Sequence, residues 1–217
     1  MTHNADRISA TTRRNSLIAL AGIALTAPVA QAHHAMDGAT PTNLFEGFLS
    51  GLAHPVIGVD HFAFLVVAAL MAFTLNGKAR YLVPLAFVGA TVAGTLYHLT
   101  AADLPLVETV IALSVLLGGV AVLLKHSVSA LLMGALFAVI GVFHGYAYGE
   151  SIVGAEQTPL LAYLAGFALI QFAIIAAAVK GLSMIAQHSQ RAQRLTRSTG
   201  GLFAAATGAA FLAMNLS

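Results

Sequence analysis

His54-Pro55-Val56-Ile57-Gly58-Val59-Asp60-His61 puts two imidazoles and a carboxylate at the head of an apolar run that continues to Leu75. A second apolar run, from Val128 to Gly149, closes on Phe143-His144-Gly145-Tyr146-Ala147-Tyr148-Gly149-Glu150. An ionisable group in hydrocarbon costs about 2.5–3.5 kcal/mol on insertion scales. Keeping His54, Asp60, His61, His144 and Glu150 in or beside two greasy segments therefore implies a use for them.

The surrounding chain sets the class. Of its 217 residues 59% are hydrophobic and 8% charged, with mean hydropathy +0.86, against about 25% charged in a soluble domain. This composition predicts an all-α membrane protein, since unpaired backbone is not tolerated in lipid. With no cysteine there is no disulfide framework, thiolate metal site or cysteine nucleophile. The basic residues form no face interleaved with aromatics, which argues against nucleic acid, and no nucleotide-binding motif is present.

Residues 1–32 read as a cleavable signal peptide. Arg7, Arg13 and Arg14 supply the positive start, Leu17–Ala27 the apolar core, and Ala30-Gln31-Ala32 a small-x-small cleavage site. Cleavage after Ala32 leaves a mature chain opening on His33-His34. A free amine, an amide nitrogen and an imidazole there are a good tetragonal chelate for Ni²⁺ or Cu²⁺. Residues 35–53 read as a loop followed by an amphipathic approach segment, Leu44–Leu52, at or dipping into the interface.

Residues 33–217 then form one domain, a bundle of six transmembrane helices over 55–75, 81–100, 105–124, 128–149, 159–179 and 199–216, each near the roughly 20 residues needed to cross. Gly201, Ala205 and Ala209 in the last span set small residues four apart, a helix-packing pattern. Beyond the signal, Lys and Arg occur only at Lys78, Arg80, Lys125, Lys180, Arg191, Arg194 and Arg197, after the first, third and fifth spans. The loops after the second and fourth carry Asp103, Glu108, Glu150 and Glu156 instead. By the positive-inside rule the basic loops are cytoplasmic and both mature termini lie outside, in the bacterial inner membrane.

That topology collects His54, Asp60, His61, His98, His144 and Glu150 at the outer level. Nitrogen and oxygen donors without thiolate suit Ni²⁺, Co²⁺ or Zn²⁺ better than Cu(I). Asp60 reads as a ligand or as the acceptor that orients an imidazole. Plainer roles compete: His98 as a polar packing residue, Glu108 as a solvated acid at a helix start, and Tyr81, Tyr97, Tyr146, Tyr148 and Tyr163 as an aromatic belt. Paired histidines also leave open a haem-binding electron carrier, and His with Asp60 a membrane zinc enzyme, although no H-E-x-x-H motif exists.

His54, Asp60 and His61 in the spacing His-Pro-x-x-Gly-x-Asp-His resemble the first signature of the HupE/UreJ family of nickel and cobalt permeases. Phe143-His144-Gly145-x-Ala147-x-Gly149 resembles the second. One departure stands out: the family pattern sets its acid one residue beyond the position after the glycine, where this chain has Ser151, while Glu150 follows Gly149 directly. One residue is a rotation of about 100° on a helix. The resemblance implies a non-enzymatic secondary transporter whose metal is cargo rather than cofactor. The partners are then the divalent ion and the bilayer, and the chain names no metallochaperone. In that reading His33, His34 and the acidic loops gather the cation, and His54, His61 and His144 strip its water beside Asp60.

Overall fold

A computed structural model describes residues 39–217, so the expected signal peptide and His33-His34 lie outside the described residues. Among the described residues all regular structure is helical. In chain order the helices are α1 (Leu44–Ile57), α2 (Val59–Ala72), α3 (Ala79–His98), α4 (Val107–Leu123), α5 (Ala130–Gly149), α6 (Gln157–His188) and α7 (Gln190–Asn215), with a 3-10 turn at Glu150–Ile152.

The helix starts are written locally. Asn43 accepts the Glu46 N–H at 3.0 Å while the Glu46 carboxylate accepts the Thr42 N–H at 2.8 Å, satisfying donors that a first turn leaves open. Ser129 and Ser189 cap α5 and α7 through the N–H groups of Leu132 and Ala192.

Four helical segments are long and apolar enough to cross a bilayer: α3, α4, α5 with its 3-10 turn, and α6. The helices α1 and α2 meet that standard only as a pair, bent by 76° at Gly58, which brings the number to five rather than the expected six. The first expected span is thus a broken one, and the approach segment Leu44–Leu52 is part of its N-terminal arm. The break falls where Pro55 and Gly58, two poor helix formers, lie three residues apart. The expected last span is the second part of α7, whose first turns carry Arg191, Arg194 and Arg197. Gly, Ser, Thr and Ala dilute the remainder. Helix α6 is longer than expected, at 32 residues, or about 48 Å at 1.5 Å per residue.

Helix α2 is the hub. Ala63, Phe64, Leu65, Val67, Ala68, Ala69, Leu70 and Ala72 are all buried, packed with Phe87, Val115, Met133, Phe137, Ile175 and Val179 of the surrounding helices. Around it stand three close pairs, α3 with α5, α4 with α7, and α1 with α6. Glycines bring backbones together in each. Gly145 abuts the Thr91 backbone and Gly94 that of Val142, so α3 and α5 run parallel. Gly119 abuts Gly201 and Ala205 while Gly208 abuts Ala112 and Leu116, so α4 and α7 run antiparallel. Gly47 meets Pro159 and Gly51 meets Tyr163, so α1 runs parallel to α6. Leu70 of α2 continues that course to reach Leu182. The bent pair therefore traverses the bundle instead of turning back.

This register sorts charge by end. Asp103, Glu108 and Glu150 share one end with Asn215, whereas Lys125 and Arg197 share the other. Arg80, hydrogen-bonded to the Leu75 carbonyl and Ser183, lies at that second end as well. Exposed Leu82, Leu85, Leu131, Leu136, Val139, Leu161 and Leu169 give the belt between them an apolar outer surface.

Candidate metal-ion site

His54 lies in the last turn of α1 and His61 in the first turn of α2, so the break at Gly58 separates them by a bend rather than by a helical face. His144 enters from the last part of α5. All three are buried, at 1%, 2% and 0% exposure, which in a membrane bundle demands partners for every ring nitrogen that is not a ligand.

The partners fix the protons. Ser114 donates its hydroxyl to the Ile111 carbonyl at 2.7 Å, so towards His144 Nε2, 3.2 Å away, it can only accept. His144 therefore carries its proton on Nε2 when neutral and turns an Nδ1 lone pair to His61. The His61 Nδ1 to His144 Nδ1 separation is 2.9 Å, so His61 is the donor and keeps its own lone pair on Nε2. The same logic holds at His54. Tyr163 donates to the Tyr148 carbonyl at 2.8 Å, and its oxygen lies 3.0 Å from His54 Nδ1, with Ser151 Oγ at 3.1 Å. His54 Nδ1 is then the protonated nitrogen and Nε2 the lone-pair atom. Two of the three imidazoles thus have Nε2 as the nitrogen able to bind a cation, and a hydrogen bond orients each ring from behind.

The rings form a short series, with His54 to His61 centroids 5.7 Å apart and His61 to His144 5.0 Å. Tyr148 stands edge-on to His54 and His61, at 4.8 and 4.6 Å. Phe64 and Phe87 close the far side of His144 at 4.8 and 5.5 Å. Asp60 is buried beside them at 1% exposure, and its Oδ1 accepts the His61 N–H at 2.8 Å. It lies in the first turn of α2, where the helix dipole favours a negative charge. Among the described residues no three His, Asp or Glu side chains already converge as a closed metal site.

Glu150 is not brought to the imidazoles. It is exposed and lines a separate cavity of about 460 Å³ at the acidic end with His98, Asp103, Glu108, Tyr146 and Asn215. Ser151 takes the inward place and faces His54, because one step of the 3-10 turn rotates Glu150 away. Two of the tyrosines expected in an interfacial belt, Tyr148 and Tyr163, are instead wholly buried parts of this cluster. Ser114, Ser151, Tyr148 and Tyr163 are the members that sequence reasoning missed. Their depth was readable, but the side of the helix they occupy depends on partners that only the packing supplies.

A family model described as HupE / UreJ protein matches residues 20–211. The chain belongs to the HupE/UreJ family. Protein HupE of Rhizobium leguminosarum bv. viciae is 30% identical over 167 residues, covering 77% of this chain and 85% of that relative. No solved structure matches. Membership and the apolar helices together make this HupE/UreJ protein a multi-pass membrane protein of a family connected with metal transport rather than with catalysis.

Proposed function

We propose that this HupE/UreJ protein is an inner-membrane secondary transporter that takes up Ni²⁺ or Co²⁺ through His54, His61 and His144. The observation that carries the reading is the buried imidazole series across the break between α1 and α2, with hydrogen bonds leaving Nε2 of His54 and His61 as lone-pair atoms. Broken helices with polar groups at the gap are a recurring way to build a transport site within a bundle. The acidic end is then the periplasmic one and the basic end cytoplasmic, with α7 as the sixth crossing and both mature termini outside.

The acidic cavity attracts the cation, and His54 meets it first. Imidazole nitrogen binds a first-row divalent ion at about 2.0–2.1 Å, so two nitrogens at right angles on one ion are about 2.9 Å apart. The His61–His144 nitrogen pair, at 2.9 Å, already has that edge length: an ion passing on from the Nε2 atoms takes the pair once the proton between the two Nδ1 atoms moves to the vacated His61 Nε2 and both rings turn their lone pairs towards the ion. Asp60 offsets part of the ion's charge from the start of α2. Inward movement is favoured by the membrane potential, worth about 2.3 kcal/mol per charge per 100 mV. Binding must still be weak enough to release the ion.

The test is uptake of radiolabelled Ni²⁺ and Co²⁺ by cells lacking their own importers. Wild-type protein should confer saturable uptake that His54→Ala, His61→Ala and His144→Ala each reduce. Uptake by His61→Ala equal to wild type would sink the site assignment.

A further inference from the structure

Gln171 occupies the middle of α6, fully buried at 0% exposure among Leu, Ile, Phe and Ala neighbours in sequence. Its amide orientation is decided by chemistry. Thr91, also at 0% exposure, donates its hydroxyl to the Val88 carbonyl at 2.7 Å. Towards Gln171 the Thr91 oxygen can therefore only accept, and it takes the Gln171 Nε2–H at 3.2 Å. A flipped amide would set two acceptors against each other. The carbonyl Oε1 is thereby left without a hydrogen-bond partner among the described residues. An unsatisfied buried carbonyl is a cost that a leucine at the same place would not incur.

Its place in the bundle says what the oxygen can serve. Along α6, Tyr163 is at the level of His54, Phe167 packs on Tyr148 with centroids 5.3 Å apart, and Gln171 lies one turn further towards the basic end. Eight residues separate Gln171 from Tyr163, or about 12 Å of rise. Its partner Thr91 abuts Gly145, the neighbour of His144. One turn back on α3, Phe87 touches the His144 ring. Gln171 is thus level with the innermost imidazole, and beyond it the interior is the apolar cluster around Ile175 and Val179.

Resting on the permease reading above, we propose that Gln171 is a relay residue of the cation path: its amide carbonyl supplies the next oxygen ligand to an ion leaving the His61–His144 pair. A neutral oxygen suits that task, since it replaces hydration without holding a divalent ion as a carboxylate would.

The experiment compares Gln171→Met, which keeps length and removes the oxygen, with Gln171→Glu, which keeps an oxygen. Ni²⁺ uptake per membrane-inserted protein is measured in importer-deficient cells, and Ni²⁺ binding to the purified full chain by titration calorimetry. Gln171→Met should lower maximal uptake about tenfold, equivalent to about 1.4 kcal/mol on the barrier, with Ni²⁺ affinity within about twofold of wild type because the imidazoles are intact. Gln171→Glu should bind Ni²⁺ more tightly than wild type, because a carboxylate then holds the ion on the path. Wild-type uptake by Gln171→Met overturns the inference, and so does a Gln171→Glu protein whose Ni²⁺ affinity equals that of wild type. Parallel loss of binding and uptake in Gln171→Met overturns it too, since the residue would then be supporting the fold. Absence of uptake by wild type, or normal uptake by His61→Ala, defeats the permease reading instead, whatever Gln171 does.

Discussion

The two arms of the bent segment are built on opposite principles. Helix α1 buries little beyond Gly47, Ser50, Gly51, His54 and Pro55, and leaves Leu44, Phe45, Leu49, Val56 and Ile57 exposed. Helix α2 buries ten of its 14 residues, with Phe64, Leu65 and Val67 at 1% exposure or less. The first is held mainly by backbone contact with one neighbour, α6; the second by the five helices around it, α3 to α7. His54 therefore rides on the peripheral arm and His61 on the fixed one. In the proposed permease the spacing of the ligands must change to release an ion, and this division supplies one arm held by a single neighbour and one held on all sides.

The largest effects should come from the fixed arm. Asp60 is the one carboxylate buried among the described residues, and neutral imidazoles cannot offset a divalent charge in a bundle interior. Asp60→Asn retains an oxygen to accept the His61 N–H, so the start of α2 survives while the charge is lost. Its uptake should fall about 100-fold, or about 2.7 kcal/mol on the barrier, with His61→Ala at least as low. Thermal unfolding of the purified Asp60→Asn protein should differ little from wild type. Normal uptake with Asp60→Asn would reduce Asp60 to a support for the first turn of α2.

The peripheral arm should respond differently. A Cβ at Gly51 would meet the Tyr163 carbonyl, a backbone group that cannot rotate away. Gly51→Ala must push α1 off α6, an overpacking that costs typically about 1–3 kcal/mol. The same shift draws His54 from the Tyr163 hydroxyl. We expect a lower unfolding temperature together with about tenfold slower uptake, the latter equivalent to about 1.4 kcal/mol. A Gly51→Ala protein that loses stability but transports normally would show that His54 does not need its place beside Tyr163, and would undo the contrast between the arms.

How much of this was readable without the fold follows from the same contrast. Helix α2 has an apolar run long enough to declare itself, and the charge alternation anticipated which residues share each end of the bundle. The break at Gly58 was hidden because Leu44 to Leu75 reads as an amphipathic approach followed by one uninterrupted span. Helix α1 is marked by Gly47 and Gly51, whose meaning depends on the α6 backbone they touch. His54, His61 and His144 were legible as chemistry out of place in lipid. Gln171 is one polar residue in an equally apolar run and was passed over. Tyr148 and Tyr163 looked like interfacial aromatics because depth along a span is readable from sequence, whereas rotation about its axis is not. At Glu150 that rotation decides everything.

Glu150→Gln should have the smallest effect, and it tests whether the acidic cavity is part of the site or only its approach. Glu150 is exposed, and its cavity is shared with Asp103 and Glu108, so removing one charge leaves a negative surface. Such a surface raises the local cation concentration, and salt screens it beyond about 8 Å at physiological ionic strength. Uptake at saturating Ni²⁺ should therefore be unchanged. At low Ni²⁺ and low ionic strength it should fall about twofold, and added salt should erase the difference. A loss that persists at saturation would mean that the Glu150 carboxylate reaches the imidazoles. That would require the 3-10 turn at Glu150–Ile152 to rewind and move Ser151 off His54, and Ser151→Ala should then be nearly silent. If instead Ser151→Ala slows uptake at saturation while Glu150→Gln does not, the inward residue of the pair is the serine, and the acid beside it only gathers the ion.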